Sequence, residues 1–177
     1  DDATGVVRTE TTDFTIAGST PIEVNVTLDT PNVTGVITPI DKSANGWVYA
    51  EQFACKCGWS GWSGAPGVAT SSGVKSDGSY AMKLDNGVSR VIAFPRYDAT
   101  GVTRTTSDTF TVTTGSSTTM SFALSEGNVR GTISSTANAA GGWVRVEKLV
   151  LKGDSSYWEW TNYGTQVLAD GTYRLQV

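Results

Sequence analysis

The chain repeats itself. Residues 2–6 read Asp-Ala-Thr-Gly-Val, and residues 98–102 read the same five, an offset of 96. The offset holds without a gap for about fifty residues. Arg8 aligns with Arg104, Phe14 with Phe110, Leu28 with Leu124, and Asn32-Val33 with Asn128-Val129. Gly35 aligns with Gly131, Ile37 with Ile133, Gly46-Trp47-Val48 with Gly142-Trp143-Val144, and Glu51 with Glu147. The offset then falls to 93, where Asp77-Gly78-Ser79-Tyr80 matches Asp170-Gly171-Thr172-Tyr173, so the second copy has three fewer residues between the motifs. Shared composition aligns scattered Thr and Val, but not Trp, Gly and Arg in register. A fixed period of this kind marks one folding unit used more than once.

The pattern inside the unit is that of strands. Apolar residues alternate at Phe14 and Ile16, at Ile22, Val24, Val26 and Leu28, at Phe110 and Val112, and at Met120, Phe122 and Leu124. No stretch keeps the 3.6-residue period of an amphipathic helix. Low charge (17%), 20 glycines and abundant Thr and Ser fit an all-β chain. Each strand ending at Leu28 or Leu124 runs into a polar turn, Asp29-Thr30-Pro31-Asn32 or Ser125-Glu126-Gly127-Asn128. The boundaries follow. Residues 1–28 are the C-terminal strands of a preceding unit, 29–124 a complete unit, and 125–177 the N-terminal strands of a following, truncated unit.

Strands of the complete unit are expected near 33–38, 46–54, 66–74, 79–84, 88–94, 101–105, 109–113 and 118–124. Asp77-Gly78 and Asn86-Gly87 read as two-residue hairpin turns, whose residues take positive φ. Short strands with turns at this spacing read as Greek-key sandwiches in tandem, one complete and two partial. Trp47 and Trp143, in alternating strands, are expected in the core.

The stretches "NVTGVI", "GWVYAE", "SDGSYAMKLDNGVSRVIAFPRY", "TFTV" and "TTMSFAL" resemble the carboxypeptidase regulatory-like domain. That resemblance implies a transthyretin-like (prealbumin-like) sandwich with no catalytic site of its own. Such modules form stalks on bacterial or archaeal surface proteins or flank secreted enzymes. Related pilus domains carry a Lys–Asn isopeptide bond helped by an acidic residue. Here "RVIAFPRY" lacks the Glu of that pattern, so the bond is not expected.

Composition narrows the chemistry. The chain has no histidine, which removes Ser-His-Asp and Cys-His catalysis and most zinc sites. Asp41, Glu51 and Asp77 are scattered carboxylates, and the recurrence of Glu51 as Glu147 reads as a strand-surface pairing position. The expectation is no enzyme and no cofactor. A net charge of −4 without a basic stripe argues against nucleic acid. No run reaches the ~18 apolar residues of a membrane span. No signal peptide is visible, and a start at Asp1 is compatible with one having been removed.

Three features remain. Cys55 and Cys57 lie on one face of a strand end, as two small thiols, a strained local disulfide or an interchain bridge; nothing completes a metal shell. Trp59 and Trp62 sit among Gly and Ser, and the second copy offers Tyr157, Trp158 and Trp160 in a different local sequence. These aromatics are candidates for contact between modules or for stacking on a sugar. Asn25 and Asn32 head glycosylation triplets, Asn25-Val26-Thr27 and Asn32-Val33-Thr34. The Asp77-Gly78 pair is explained by its turn without calcium.

The ends set the functional expectation. The head 125–177 stops at the position of Leu84 and Asp2 of the tail 1–28 stands at that of Asp98, so a head and a tail together nearly rebuild one unit. Either the sequence is a window of a longer array, or the tail of one chain completes the head of the next by strand addition. The sequence therefore reads as a secreted or surface-displayed structural module whose main partner is itself, in a fibre, stalk, pilus-like filament or surface layer. The rivals are a carbohydrate-binding or adhesive module using the Trp-rich loop, with glycans as partner, and an accessory domain of a larger secreted enzyme.

Overall fold

A computed structural model describes residues 5–11, 13–19, 21–56, 59–67, 69–135 and 139–177. In chain order its elements begin with β1 (Val33–Thr38), α1 (Ile40–Ser43), β2 (Trp47–Lys56), β3 (Trp59–Gly64) and β4 (Ser71–Gly73). Then come β5 (Ser79–Met82), β6 (Gly87–Phe94), β7 (Thr105–Thr106), β8 (Phe110–Val112), β9 (Thr118–Thr119) and β10 (Phe122–Ala123). The last four are β11 (Val129–Thr132), β12 (Trp143–Lys152), β13 (Ser155–Gln166) and β14 (Thr172–Leu175). Apart from the single turn α1, every described element is a strand, and the chain is all-β.

Residues 30–124 build a sandwich-like core from two sheets. One sheet runs β10-β1-β5, with β9 also on β1; the other runs β3-β2-β6-β7, with β4 on β2 and β8 on β6. Alternation sends Val33 and Ile37 of β1 inward to meet Val48 and Ala50 of β2 and Val91 and Ala93 of β6. Tyr80, Met82, Leu84, Val112 and Leu124 close the cluster, with Met120 and Phe122 packed against it. Each large side chain buried there contributes about 1.5–3 kcal/mol.

Strand β1 has two different neighbours. On one side it pairs antiparallel with β5, Val33 opposite Met82 and Gly35 opposite Tyr80. On the other it pairs parallel with β9 and β10, Thr34 opposite Thr119 and Ile37 opposite Phe122. The parallel edge is closed by Thr118, Met120 and Leu124, whose N–H groups donate to the carbonyls of Asn32, Thr34 and Thr38 at 2.7–2.8 Å.

The C-terminal segment reproduces part of this register. Val129 lies opposite Leu175 and Gly131 opposite Tyr173, the β1–β5 pairs shifted by 96 and 93 residues. Asn32 bridges Leu84 through both amide atoms, at 2.8 and 2.9 Å, and Asn128 bridges Val177 in the same way, at 2.8 and 3.0 Å. The Val7–Asp29 bridge and the Thr9 hydroxyl bonded to Asp29 N–H recur as Thr103–Ser125 and the Thr105 hydroxyl on Ser125 N–H.

The three-residue change in the sequence offset has a location. Opposite Ala50, six residues separate Gly64, the partner of Glu51, from Ser71, the partner of Tyr49. Opposite Val146, only residues 161–163 intervene between Trp160 and Gly164, as a bulge within continuous β13. The offset therefore remains 96 through Trp160 and changes here. Trp158 stands across from Leu149 where Trp62 stands across from Phe53. The recurrence of Trp in this segment is thus positional, although its neighbours differ.

Four expectations are corrected. The expected strand 66–74 is broken by the loop containing Pro66 and Gly67, and only β4 remains of it. The two Gly turns are not two-residue turns of positive φ. At the first, Gly78 alone is left-handed (φ 80), its N–H bonds Lys75 O, and Lys75 N–H bonds Ser79 O, while Asp77 accepts the Ser79 N–H at 2.9 Å. A longer turn needs one left-handed residue where the shorter needs two. At Asn86-Gly87 only Gly87 has positive φ (150). Trp47 and Trp143 are not core: they are 49% and 63% exposed, because Val48 and Ala50 take the inward phase of β2. Residues 21–28 join no ladder, and the tail's only described pairing is Val7–Asp29, since a strand needs a neighbouring edge to satisfy its backbone.

Candidate functional site

The outer face of β2 carries a ladder of aromatic and charged side chains. Tyr49 stacks on Phe94 with centroids 5.8 Å apart, and the Arg104 guanidinium lies over Phe94 and donates to the Tyr49 hydroxyl at 3.3 Å. Glu51 accepts two bonds from Arg90, at 2.6 and 2.8 Å. Arg90 in turn lies 4.3 Å from the Trp62 ring centroid, and Trp62 meets Phe53 edge-on at 5.6 Å. Burial raises the Tyr49 phenol, opposed by the positive charge of Arg104. Glu51 is therefore a pairing residue, and Trp62 is half-buried against its own sheet. Trp59 enters β3 opposite Lys56, and its side chain lies outside the described part.

The second hairpin presents a different surface. Trp158 and Trp160 project from one face of β13, opposite Leu149 and Glu147. Trp143 lies over Gly164, and the Arg145 guanidinium sits 4.3 Å from the Trp160 ring centroid. Trp158, Trp160 and Leu151 are 63%, 67% and 75% exposed. Tyr157, opposite Val150, is exposed on the other face. Among the described residues β12 pairs with β13 alone, whereas β2 also pairs with β6 on its second edge.

The tail supplies a matching apolar row. Ile22, Val24, Val26 and Leu28 are all exposed, as are Phe14 and Ile16. At offset 96, Val24, Val26 and Leu28 correspond to Met120, Phe122 and Leu124, and Phe14 and Ile16 to Phe110 and Val112, all of which belong to the core or pack against it, while Ile22 corresponds to Thr118.

The remaining candidates fall apart as sites. Cys55 is an exposed free thiol, and Cys57 lies outside the described residues. Asn25 is exposed with its amide on Glu23 at 3.0 Å, while the Asn32 amide nitrogen is committed to Leu84. Asp77 and Asp170 are held below the usual carboxylate value by hydrogen bonds from Ser79 and Thr172. Among the described residues no three His, Cys, Asp or Glu side chains group as metal ligands, and no helix is long and apolar enough to cross a membrane. Asp41, Glu51 and Asp77 do not converge: Asp41 contacts Lys42, Glu51 holds Arg90, and Asp77 caps its turn.

The arrangement thus offers apolar surface and open strand edges. Sequence reasoning found the aromatic residues and the exposed rows, but missed the Arg90–Trp62 and Arg145–Trp160 contacts, which join residues far apart in sequence. No family model, curated protein or solved structure matches this chain.

Proposed function

We propose that this chain is a structural repeat module of a secreted or surface-displayed fibre, stalk, pilus-like filament or surface layer, assembled head to tail. In this reading residues 1–28, 29–124 and 125–177 are parts of tandem Greek-key sandwiches of the carboxypeptidase regulatory-like kind, and the chain has no enzymatic role. One observation carries it: the row Ile22, Val24, Val26 and Leu28 is exposed, while the equivalent row ending in Leu124 packs on β1. Apolar rows left in water mark interaction surfaces. Negative-stain electron microscopy tests the proposal. Ordered linear polymers support it, and isolated particles at every concentration overturn it.

The exposed face of β12–β13 favours a second reading, a carbohydrate-binding or adhesive module. Trp143, Trp158 and Trp160 lie on one side of a hairpin, as aromatic platforms for sugar rings do. Titration with glycans, with binding lost in Trp158→Ala and Trp160→Ala, would favour this reading; binding unchanged in both variants would exclude that face.

A further inference from the structure

The free edge of β11 has the chemistry of one particular strand. In the sheet of residues 30–124, β1 is flanked by β5 and, in parallel, by residues 118–124. Strand β11 has its β14 in the equivalent antiparallel position, and no described strand on the other edge. Ile37 is wholly buried there, whereas Ile133 is 36% exposed. Tyr80 donates its hydroxyl proton to the Met120 carbonyl at 2.5 Å, across Gly35. Tyr173 lies in the same way over Gly131, and its hydroxyl has no partner among the described residues.

Charge says what belongs on this edge. Arg130 and Arg174 lie directly opposite each other on β11 and β14. Two like charges side by side destabilise a sheet, and neither forms an ion pair among the described residues. At the same places the complete sheet has Thr34 and Ala81, and the strand beyond Thr34 offers Thr119. Shifted by 96, Thr119 becomes Glu23. Three uncharged positions on one row are thus replaced by two arginines and a carboxylate.

We infer that residues 22–28 of a second copy of this chain add to β11 as a parallel strand, Ile22 beside Val129 and Glu23 beside Arg130. This rests on the head-to-tail reading and fixes its joint. Carbonyls of Asn128, Arg130 and Ser134 accept from the N–H groups of Ile22, Val24 and Leu28, as those of Asn32, Thr34 and Thr38 do within the chain. The Asn25 amide oxygen accepts the Thr132 N–H, replacing the Ser121 hydroxyl that serves Val36. Tyr173 donates to the Val24 carbonyl. Val24, Val26 and Leu28 cover the inner side, and on the outer side Glu23 lies beside Arg130, with Arg174 on the strand beyond it. Main-chain bonds supply affinity in such strand addition, and side chains set the register.

Charge exchange between copies tests the joint. Two variants of the full chain are made, Glu23→Lys and the double variant Arg130→Glu/Arg174→Glu, and sedimentation velocity at low salt measures their association. Each alone places like charges at its joints and associates roughly 5- to 30-fold more weakly than wild type. An equal mixture restores wild-type association, because every joint between unlike copies is then complementary. Circular dichroism melts matching wild type show that the exposed substitutions leave the fold intact, and the rescue itself requires folded partners. Variants that associate like wild type on their own, or a mixture without rescue, overturn this register while leaving self-association standing. A wild-type chain that stays monomeric overturns both.

Discussion

Asn32 holds Leu84 by both ends of its amide, donating to the Leu84 carbonyl at 2.8 Å and accepting its N–H at 2.9 Å. The pair stitches the start of β1 to the end of the β5 segment, 52 residues away. Replacement by Ala leaves two backbone groups beside a nearly buried Leu84 without partners. Asn32→Ala is expected to lower stability by about 1–3 kcal/mol in urea unfolding. Asn128→Ala, whose partner Val177 is 42% exposed, is expected to cost about 0.5 kcal/mol or less, since water replaces the lost bonds. Equal costs at the two sites would show that exposure does not separate them.

Gly35 and Gly131 occupy the same place in their strands but differ in what an added methyl meets. At Gly35 it would lie 1.9 Å from the Met120 carbonyl oxygen, a backbone atom fixed in the core sheet. Gly35→Ala is expected to cost about 1–3 kcal/mol or to prevent folding. At Gly131 the three nearest atoms all belong to the Tyr173 side chain, which can swing aside. Gly131→Ala is therefore expected to melt close to wild type. It should also fail to associate, because the methyl would meet the incoming Val24 carbonyl as the Gly35 methyl would meet Met120. Thermal melts and sedimentation of the two variants decide this.

Two titrations bracket the stability range. Asp77 is lowered below its ordinary 3.8 by the bonds from Ser79. A lowered acid contributes stability that is present above the unfolded value and lost as pH falls through the folded one. Asp77→Asn keeps the accepting oxygen and loses the charge, so its stability should fall less steeply than wild type below about pH 4. Tyr80 is raised above its ordinary 10.0 by burial. Its contribution is complete below pH 10 and declines as pH rises beyond it. Tyr80→Phe should flatten that alkaline decline, at the cost of about 0.5–1.5 kcal/mol for the bond to Met120. Denaturant midpoints across pH for the two variants check both signs.

Arg90 joins Glu51 to Trp62 on a face where its side chain is 29% exposed and that of Glu51 17%. Partial desolvation makes this pair stronger than a surface one. Arg90→Ala is expected to cost about 1–2 kcal/mol and to change Trp fluorescence, while Arg90→Lys recovers only part of it, because Lys lacks the planar fork that stacks on indole. Full recovery with Lys would leave only a point charge at work.

The ladder also shows what the sequence could and could not reveal. Strands β1 and β6 were legible to within a residue, since Val33 to Ile37 and Val88 to Phe94 alternate or run apolar between turn residues. The phase of β2 was not. Its inner face carries Val48 and Ala50 and its outer face Trp47, Tyr49 and Phe53, so apolar residues lie on both sides and alternation does not choose between them. The left-handed residue at Gly78 was legible, but the turn length was not, because the Asp77 side chain bonds Ser79 in a conformation that needs no positive φ. Of the candidate site, the row from Ile22 to Leu28 was plain from alternation alone. The Arg130–Arg174 pairing was hidden, since 44 residues separate them and only the β11–β14 register brings them together.

The central claim is that the tail row of one copy covers the head of another. Sedimentation velocity of the wild-type chain across a wide concentration range, beside Val24→Asp/Val26→Asp, tests it most directly. Both valines are exposed in the single chain, so the substitutions leave its fold unchanged. The account predicts that the wild-type sedimentation coefficient rises continuously with concentration, as an open head-to-tail polymer requires, and that the variant remains a monomer. A wild-type monomer at every concentration, or a variant that polymerises equally well, would contradict it.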